Sequence, residues 1–473
     1  MRVNRAKIVA TVGPACDDYE SLKGLIQAGM NVCRVNFSHS PGEKARQIIQ
    51  RVRKINAELN TNVAILADLQ GPKLRVGEMA PDTLLEGGNE FVLTTRPGVG
   101  DHQSAYVNYD ELARDVRAGE TILLDDGNLA LEVLSTNGDD EVITQVRFGG
   151  KLTSRKGVNL PDTRLSLPSM TPKDHEDVRV AIEEEVEWIA LSFVRRGQDI
   201  ESLREVITAV GAKSLLISKI EKPEAIEDID AIIERSDGLM VARGDLGVEM
   251  RMEEVPELQK MMVDKCRAAA KPIIIATQMM ESMISNIRPT RAEVSDVANS
   301  VLDGADALML SGETSVGMHP VRVVEVMRSI VARVETGNAY KVRQLPTVGA
   351  DSRVITDAIC FQACALANQM EASAVITMTR SGYAACKISS NRPDTNIFVF
   401  TNNRAILNTL SLVWGIRSFY YDGFVSTDES IQDIHRMLRE EALISEGDLV
   451  VNIASMPLNE RAMTNTLKLS MIS

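Results

Sequence analysis

Eight short β-branched apolar runs, each closing on a polar or charged residue, set the tightest limit on what this chain can become. They are AKIVATVG (6–13), NVCRVNFS (31–38), VAILADLQ (63–70), WIALSFV (188–194), LLISKIE (215–221), GLMVARGD (238–245), PIIIATQ (272–278) and ALMLSGE (307–313). Runs this apolar suit parallel strands buried on both faces, and the amphipathic stretch after each supplies the crossover helix of a right-handed βαβ unit. Their starts fall 23 to 35 residues apart, except for one interval of 125 between residues 63 and 188. Eight such units imply a (β/α)8 TIM barrel over 1–71 and 169–345, with an insertion of roughly 100 residues after the third strand.

The insertion, 72–168, carries closer-spaced runs such as EFVLTT, TILLDD, LALEVLS and EVITQVRF, separated by GG, DDGN and NGDD turns. That pattern predicts a small antiparallel β-barrel domain. Attached to a βα loop, it would hang over the catalytic face as a lid. A third region, 346–473, follows the stretch YKVRQLPTVGADSR. It alternates a helical segment (VITDAICFQACALANQM) with strand-like ASAVITMT, NIFVFT, IRSFYYD, DLVVNIAS and TLKLSMI, and so predicts an open α/β domain. The fold class is therefore α/β in three domains, in line with a length of 473 residues.

Lys+Arg 52 against Asp+Glu 66 gives a net charge of −14, which disfavours nucleic-acid or membrane surfaces as partners. A phosphorylated substrate would need a local basic site inside this acidic chain. No apolar run has the ~18 residues of a membrane span, and MRVNRAKIVATVGP reads as a first strand, not a signal peptide. The expected location is cytoplasmic. Six cysteines without CxxC spacing read as reduced thiols, and with only five histidines they argue against a structural zinc site.

In a barrel of this kind the functional groups gather at the C-terminal ends of the strands. Those ends carry Thr11, Arg34 with Asn36 and Ser38, Asp68, Ser192, Lys219 with Glu221, Asp245, Thr277, and Ser311 with Glu313. Alone, a Lys-x-Glu is an ordinary surface pair. Here it closes a buried run, both side chains fall on one face, and Asp245 ends the next strand. Two carboxylates at neighbouring strand ends suit one hard divalent cation, with a lysine adding a second positive centre over an anionic substrate. Neither GxxxxGK[ST] nor GxGxxG occurs, so any nucleotide is held another way.

NFSHS (36–40), ADLQGPKLR (67–75), RKGVNLP (155–161), SKIEKPEA (218–225), VARGDLGVE (241–249), ATQMMESM (276–283), RPTRAEVSDVAN (288–299) and MLSGET (309–314) resemble, in order, the motif series of pyruvate kinase. The similarity is to bacterial members, and it spans nearly the whole chain. It implies phosphoryl transfer from phosphoenolpyruvate to ADP, giving pyruvate and ATP in glycolysis, with Mg²⁺ or Mn²⁺. By resemblance, Lys219 and Arg34 would act on the transferred group, and Glu221 and Asp245 would hold the metal. Gly244, Asp245 and Thr277 would bind the substrate carboxylate, with Thr277 and Ser311 near the proton donor. Asn36, Phe37, Ser38, His39, Arg75 and Lys156 match nucleotide contacts.

Many members of that family bind K⁺ at residues matching Asn36, Ser38, Asp68 and Leu69, with a glutamate where this chain has Lys73. A fixed ammonium would replace the mobile ion, so the resemblance is to potassium-independent members. Thr379, Arg380, Ser381 and Gly382 resemble the phosphate loop of an allosteric effector site. The effector stays open among a sugar monophosphate, AMP and fructose 1,6-bisphosphate. Homotetramers are common in the family. The rival chemistry is a Mg²⁺-dependent carbon–carbon lyase acting on a pyruvate-like acid, which would have no use for a nucleotide segment or for Lys156.

Overall fold

Side chains alternate across a strand, so a closed parallel sheet sorts its residues into one set facing the barrel axis and another facing the surrounding helices. The computed structural model describes residues 4–337, 353–423, 426–456 and 463–473. Each apolar run supplies one strand: β1 (Lys7–Val12), β2 (Val32–Asn36), β3 (Ala64–Asp68), β4 (Trp188–Leu191), β5 (Leu215–Ile220), β6 (Gly238–Ala242), β7 (Ile273–Ala276) and β8 (Ala307–Leu310). They close into a parallel barrel in which β1 bonds to both β2 and β8. Val9 of β1 belongs to the inner core with Val32, Leu66, Trp188, Met240 and Met309, whereas Ile8 and Ala10 pack with the helices.

The helices take their ends from local chemistry. Thr290 caps helix Arg291–Asp303 by accepting from the Glu293 amide at 3.2 Å, and Glu293 returns the favour to the Thr290 amide at 2.7 Å. This capping box satisfies two otherwise orphaned donors. Gly304, at φ +102°, stops the helix where a side chain would be strained.

Between β3 and β4 the chain leaves the barrel to build a β unit with its own core of Phe91, Leu93, Ile122, Leu131 and Val146. Its ladders form a six-stranded sheet and a separate ribbon of Leu84–Leu85 with Gly150–Lys151, joined by isolated bridges at Arg75–Gly157, Val76–Val107 and Met79–Gly100. The four expected runs are all strands of the sheet. Two pairings depart from the antiparallel expectation: Ser104–Tyr106 runs parallel to Glu90–Thr94, and the Met79–Gly100 bridge is parallel. At the DDGN turn Asp125, Asp126 and Gly127 all take positive φ, which Asp and Gly tolerate best.

The C-terminal sheet contains β9 (Ala374–Met378), β10 (Asn396–Thr401), β11 (Ile416–Tyr420), β12 (Leu449–Ala454) and β13 (Thr466–Met471), in the order β11-β10-β9-β12-β13. Only the edge strand β13 is antiparallel. The expected domain break at 345/346 lies outside the described residues. This unit seats against the N-terminal ends of the barrel strands. Leu412 joins the barrel's inner core, and the Trp188 indole donates to the Thr409 carbonyl at 3.3 Å. Lys7 donates to the Ile416 carbonyl at 2.7 Å; burial pulls its pKa down to about 8 against the opposing charges of Glu335 and Asp306.

Candidate active site

At the opposite mouth of the barrel, the strand ends converge on one ammonium. Lys219, near the end of β5, places Nζ 3.1 Å from Asp68 Oδ1, 3.1 Å from Glu221 Oε1 and 2.6 Å from Ser192 Oγ. Arg34 meets the other oxygen of Asp68 at 2.7 Å and donates to Thr11 Oγ1 at 2.8 Å. The Thr11 hydroxyl in turn donates to the Leu310 carbonyl at 2.7 Å, so neighbouring strands fix the guanidinium. Burial alone would raise Asp68, but Lys219 and Arg34 outweigh it and hold the carboxyl below its usual range. Burial likewise pulls Lys219 down, yet Asp68 and Glu221 leave it well above an ordinary lysine. Glu221 is raised, by burial first and by Asp245 in addition, while Lys219 and the Phe193 amide oppose the rise.

Beside this cluster opens a cleft of about 1050 Å³ whose walls include Lys73, Asp126, Gly244, Asp245, Thr277 and Ser311. Thr277 sits at φ +70° and Gln278 at φ +52°, a turn unusual for side-chain-bearing residues. Arg243 holds this turn, donating to the Thr277 carbonyl at 3.0 Å while its fork grips Asp296 at 2.7 and 2.6 Å. The Gly244 amide donates to Thr277 Oγ1 at 2.6 Å. Glu313 fixes the next loop, accepting from the Ser311 amide at 2.7 Å and the Met280 amide at 3.1 Å.

The family model for the pyruvate kinase barrel domain matches residues 3–324, and that for the pyruvate kinase alpha/beta domain matches residues 357–470. The chain belongs to the pyruvate kinase family. It is 40% identical to a pyruvate kinase of Clostridium acetobutylicum over 99% of this chain and 100% of the relative. A pyruvate kinase of Bacillus licheniformis is 41% identical over 99% of this chain and 81% of its own length. The crystal structure of a pyruvate kinase from Cryptosporidium parvum superposes with a TM-score of 0.92 at 34% identity, covering 99% of this chain and 96% of that one. The enzyme assignment follows: a pyruvate kinase phosphotransferase, with phosphoenolpyruvate and ADP as substrates and pyruvate as product. Among the described residues no helix is long and apolar enough to cross a membrane.

The residues expected to meet a pyruvate kinase's nucleotide fall into two groups. Asn36, Phe37, Ser38 and His39 follow β2 on the barrel, and the Asn36 side chain accepts from the Ser38 amide at 3.0 Å. Phe37 is fully buried, and its carbonyl accepts from Lys173 at 3.0 Å. Arg75 and Lys156 belong to the insertion. Lys156 pairs with Asp125 at 2.7 Å, and Arg75 donates to the Arg155 carbonyl at 3.0 Å.

Lys73 stands elsewhere than the monovalent-ion expectation put it. Its Nζ lies 3.5 Å from Asp245 Oδ1, whereas the two oxygens of Asp68 go to Lys219 and Arg34. The Leu69 carbonyl accepts from Ser192 Oγ at 2.7 Å.

In the Thr379–Gly382 loop, the Thr379 hydroxyl accepts from the Gly382 amide at 3.0 Å and Ser381 Oγ from the Tyr383 amide at 3.4 Å. The Arg380 side chain is exposed. Arg243, Glu249, Lys222 and Asn159 received no role from sequence reasoning, although each lies in one of the family motifs, because each finds its partner on another segment.

Proposed function

We propose that this mouth transfers the phosphoryl group of phosphoenolpyruvate to ADP with Mg²⁺, or Mn²⁺ in its place, held by Glu221 and Asp245. The observation that carries the reading is the buried Lys219–Glu221 pair at 3.1 Å with Asp245 close enough to raise Glu221. Among the described residues no three His, Cys, Asp or Glu side chains form a metal cage. Two carboxylates alone leave an oxygen-seeking divalent ion most of its positions for substrate and water. When bound, that ion supplies positive charge against the anionic oxygens of the substrates.

The residues do the positioning. Lys219, cationic beside Asp68 and Glu221, faces the phosphoryl group in transfer, and Arg34 steadies it from β2. A cation about 4 Å from an anionic oxygen is worth about 4 kcal/mol at an effective dielectric near 20, before desolvation. The Gly244 amide and Thr277 hydroxyl now bond each other; a substrate carboxylate takes the amides of Gly244 and Asp245 while the Thr277 hydroxyl turns to donate. Thr277 and Ser311 line the wall from which the proton reaches the methylene carbon. The insertion, 72–168, acts as a lid that brings Arg75 and Lys156 to the nucleotide held by Asn36–His39. A coupled assay with phosphoenolpyruvate and ADP tests this directly: EDTA is expected to abolish ATP formation and Mg²⁺ or Mn²⁺ to restore it. Turnover indifferent to EDTA would remove the metal from the reading.

Turnover needs no K⁺. In support, Asn36 Oδ1 and Leu69 O already accept from protein donors, and the Asp68 carboxylate is paired with Lys219 and Arg34. Assays in potassium- and sodium-free buffer are expected to run within about twofold of those in KCl, and a large rise on adding K⁺ would refute the claim. A phosphorylated metabolite regulates the enzyme at Thr379–Gly382, and the cytoplasmic form is a homotetramer. The loop's exposed Arg380 supports the first, and β13, which among the described residues pairs on one side only and exposes Met471, supports the second. Adding sugar monophosphates, AMP and fructose 1,6-bisphosphate in turn selects the effector.

A further inference from the structure

Three segments of the insertion approach one seven-residue helix of the barrel, Arg243–Glu249, which carries Gly244 and Asp245 near its start. Lys73 reaches Asp245 at 3.5 Å. A Cβ at Gly127, in the turn of the insertion, would lie 3.7 Å from Val248. At the far end of the helix, Glu249 Oε1 accepts from Asn159 Nδ2 at 2.7 Å and from Lys222 Nζ at 2.6 Å.

The third contact is unlike the other two. Asn159, Lys222 and Glu249 are all buried, and apolar Leu74, Val158, Leu165, Leu167 and Phe193 surround them at a chamber of about 20 Å³. A carboxylate out of water depends on its donors, and here one of the two comes from the insertion and one from the barrel. Asn159 lies three residues from Lys156, and Lys222 follows Glu221 directly. Glu249 is thus a joint where the nucleotide-bearing strand of the insertion, the end of β5 and the substrate loop are tied. Among the described residues its second oxygen has no hydrogen-bond partner, so Oε1 carries the joint.

We infer that Glu249 and Asn159 are positioning residues: their bond latches the insertion to the helix carrying Gly244 and Asp245 and so fixes where the nucleotide side of the lid sits relative to phosphoenolpyruvate. This rests on the reading of 72–168 as a lid. Losing the latch weakens ADP use more than phosphoenolpyruvate use, because the helix keeps its other anchors while the insertion loses its buried one.

The test compares Asn159→Ala, Asn159→Asp and the double variant Asn159→Asp with Glu249→Gln, reading kcat, both KM values and the melting temperature. Asn159→Ala is expected to raise the ADP KM about tenfold, the scale of one hydrogen bond to a charged group, with the phosphoenolpyruvate KM within about twofold. Asn159→Asp sets two carboxylates together and is expected to lower kcat/KM for ADP about 100-fold. The double variant exchanges donor and acceptor, keeps a carboxylate for Lys222, and is expected to recover to within about threefold of the parent. A merely structural contact would lower the melting temperature without splitting the two KM values. An unchanged ADP KM in Asn159→Ala, or a double variant no better than Asn159→Asp, overturns the latch. If Asn159→Asp does not fold, the KM split in Asn159→Ala decides. Lys156→Ala serves as the control: if it leaves the ADP KM unmoved, the lid reading itself fails; if it raises that KM while Asn159→Ala does not, only the latch fails.

Discussion

Lys219→Met is expected to give a folded protein that forms ATP at roughly one ten-thousandth of the parent rate or less. Phosphoryl transfer is catalysed mainly by placing positive charge on the group in flight, and one well-placed cation is worth about 10³–10⁵ in rate. The fold survives because Asp68 keeps Arg34 at 2.7 Å and Glu221 keeps the Phe193 amide at 2.7 Å. Stability should fall nonetheless, towards the low end of the ~3–5 kcal/mol seen when one partner of a buried pair is removed. A coupled assay and thermal melting followed by circular dichroism read both effects. Near-parent turnover in this variant would end the role given to Lys219.

The same cluster has a definite pH signature. Asp68 is held below its ordinary value, so its contribution is present above the unfolded carboxylate pKa and is lost as pH falls through the folded one. Lys219 is held above its ordinary value, so its contribution is present below the unfolded lysine pKa and is lost as pH rises through the folded one. Across the neutral range both are ionised.

The largest stability effect is expected at the other end of the barrel, from Asp306→Ala. Arg392, with about 1% of its side chain exposed, donates to Asp306 at 3.2 and 3.1 Å and to the Gly304 carbonyl at 2.8 Å. Its guanidinium lies 4.7 Å from the centre of the Trp414 ring. Asp306 also accepts from the Ile273 amide at 3.1 Å and the Trp414 amide at 3.2 Å. Removing the carboxylate leaves a buried guanidinium without its counter-charge and two amides without their acceptor, a loss of about 3–5 kcal/mol. In a chain of several domains this shows as an earlier first transition in urea and not as a single midpoint. Asp306→Asn, which keeps an acceptor for the amides, should recover part of the loss. An unmoved first transition in Asp306→Ala would contradict the account.

The barrel was legible because strands buried on both faces must be apolar throughout, and each of the eight runs shows this. Strand ends then pointed to Lys219, Glu221, Asp68, Thr11 and Ser192, since closure brings every C-terminal end to one mouth. Pairings across that mouth were not legible. Lys219 shares itself between Asp68 and Glu221, and Lys73 goes to Asp245, because such distances are set by closure and by how the insertion leans. Asn159 and Glu249 stand 90 residues apart with no local signal of their bond. Ser104–Tyr106 was missed as a strand because three residues cannot display an alternation.

Leu412 gives the C-terminal unit a place inside the catalytic cylinder. Its side chain closes the N-terminal end as a cork does, in one cluster with Trp188, Met240 and Met309. A fragment cut off after β8 would open that end to water, so the two units are one object to solvent. A tilt of the C-terminal unit would therefore bear on the axis of the barrel and not only on its rim.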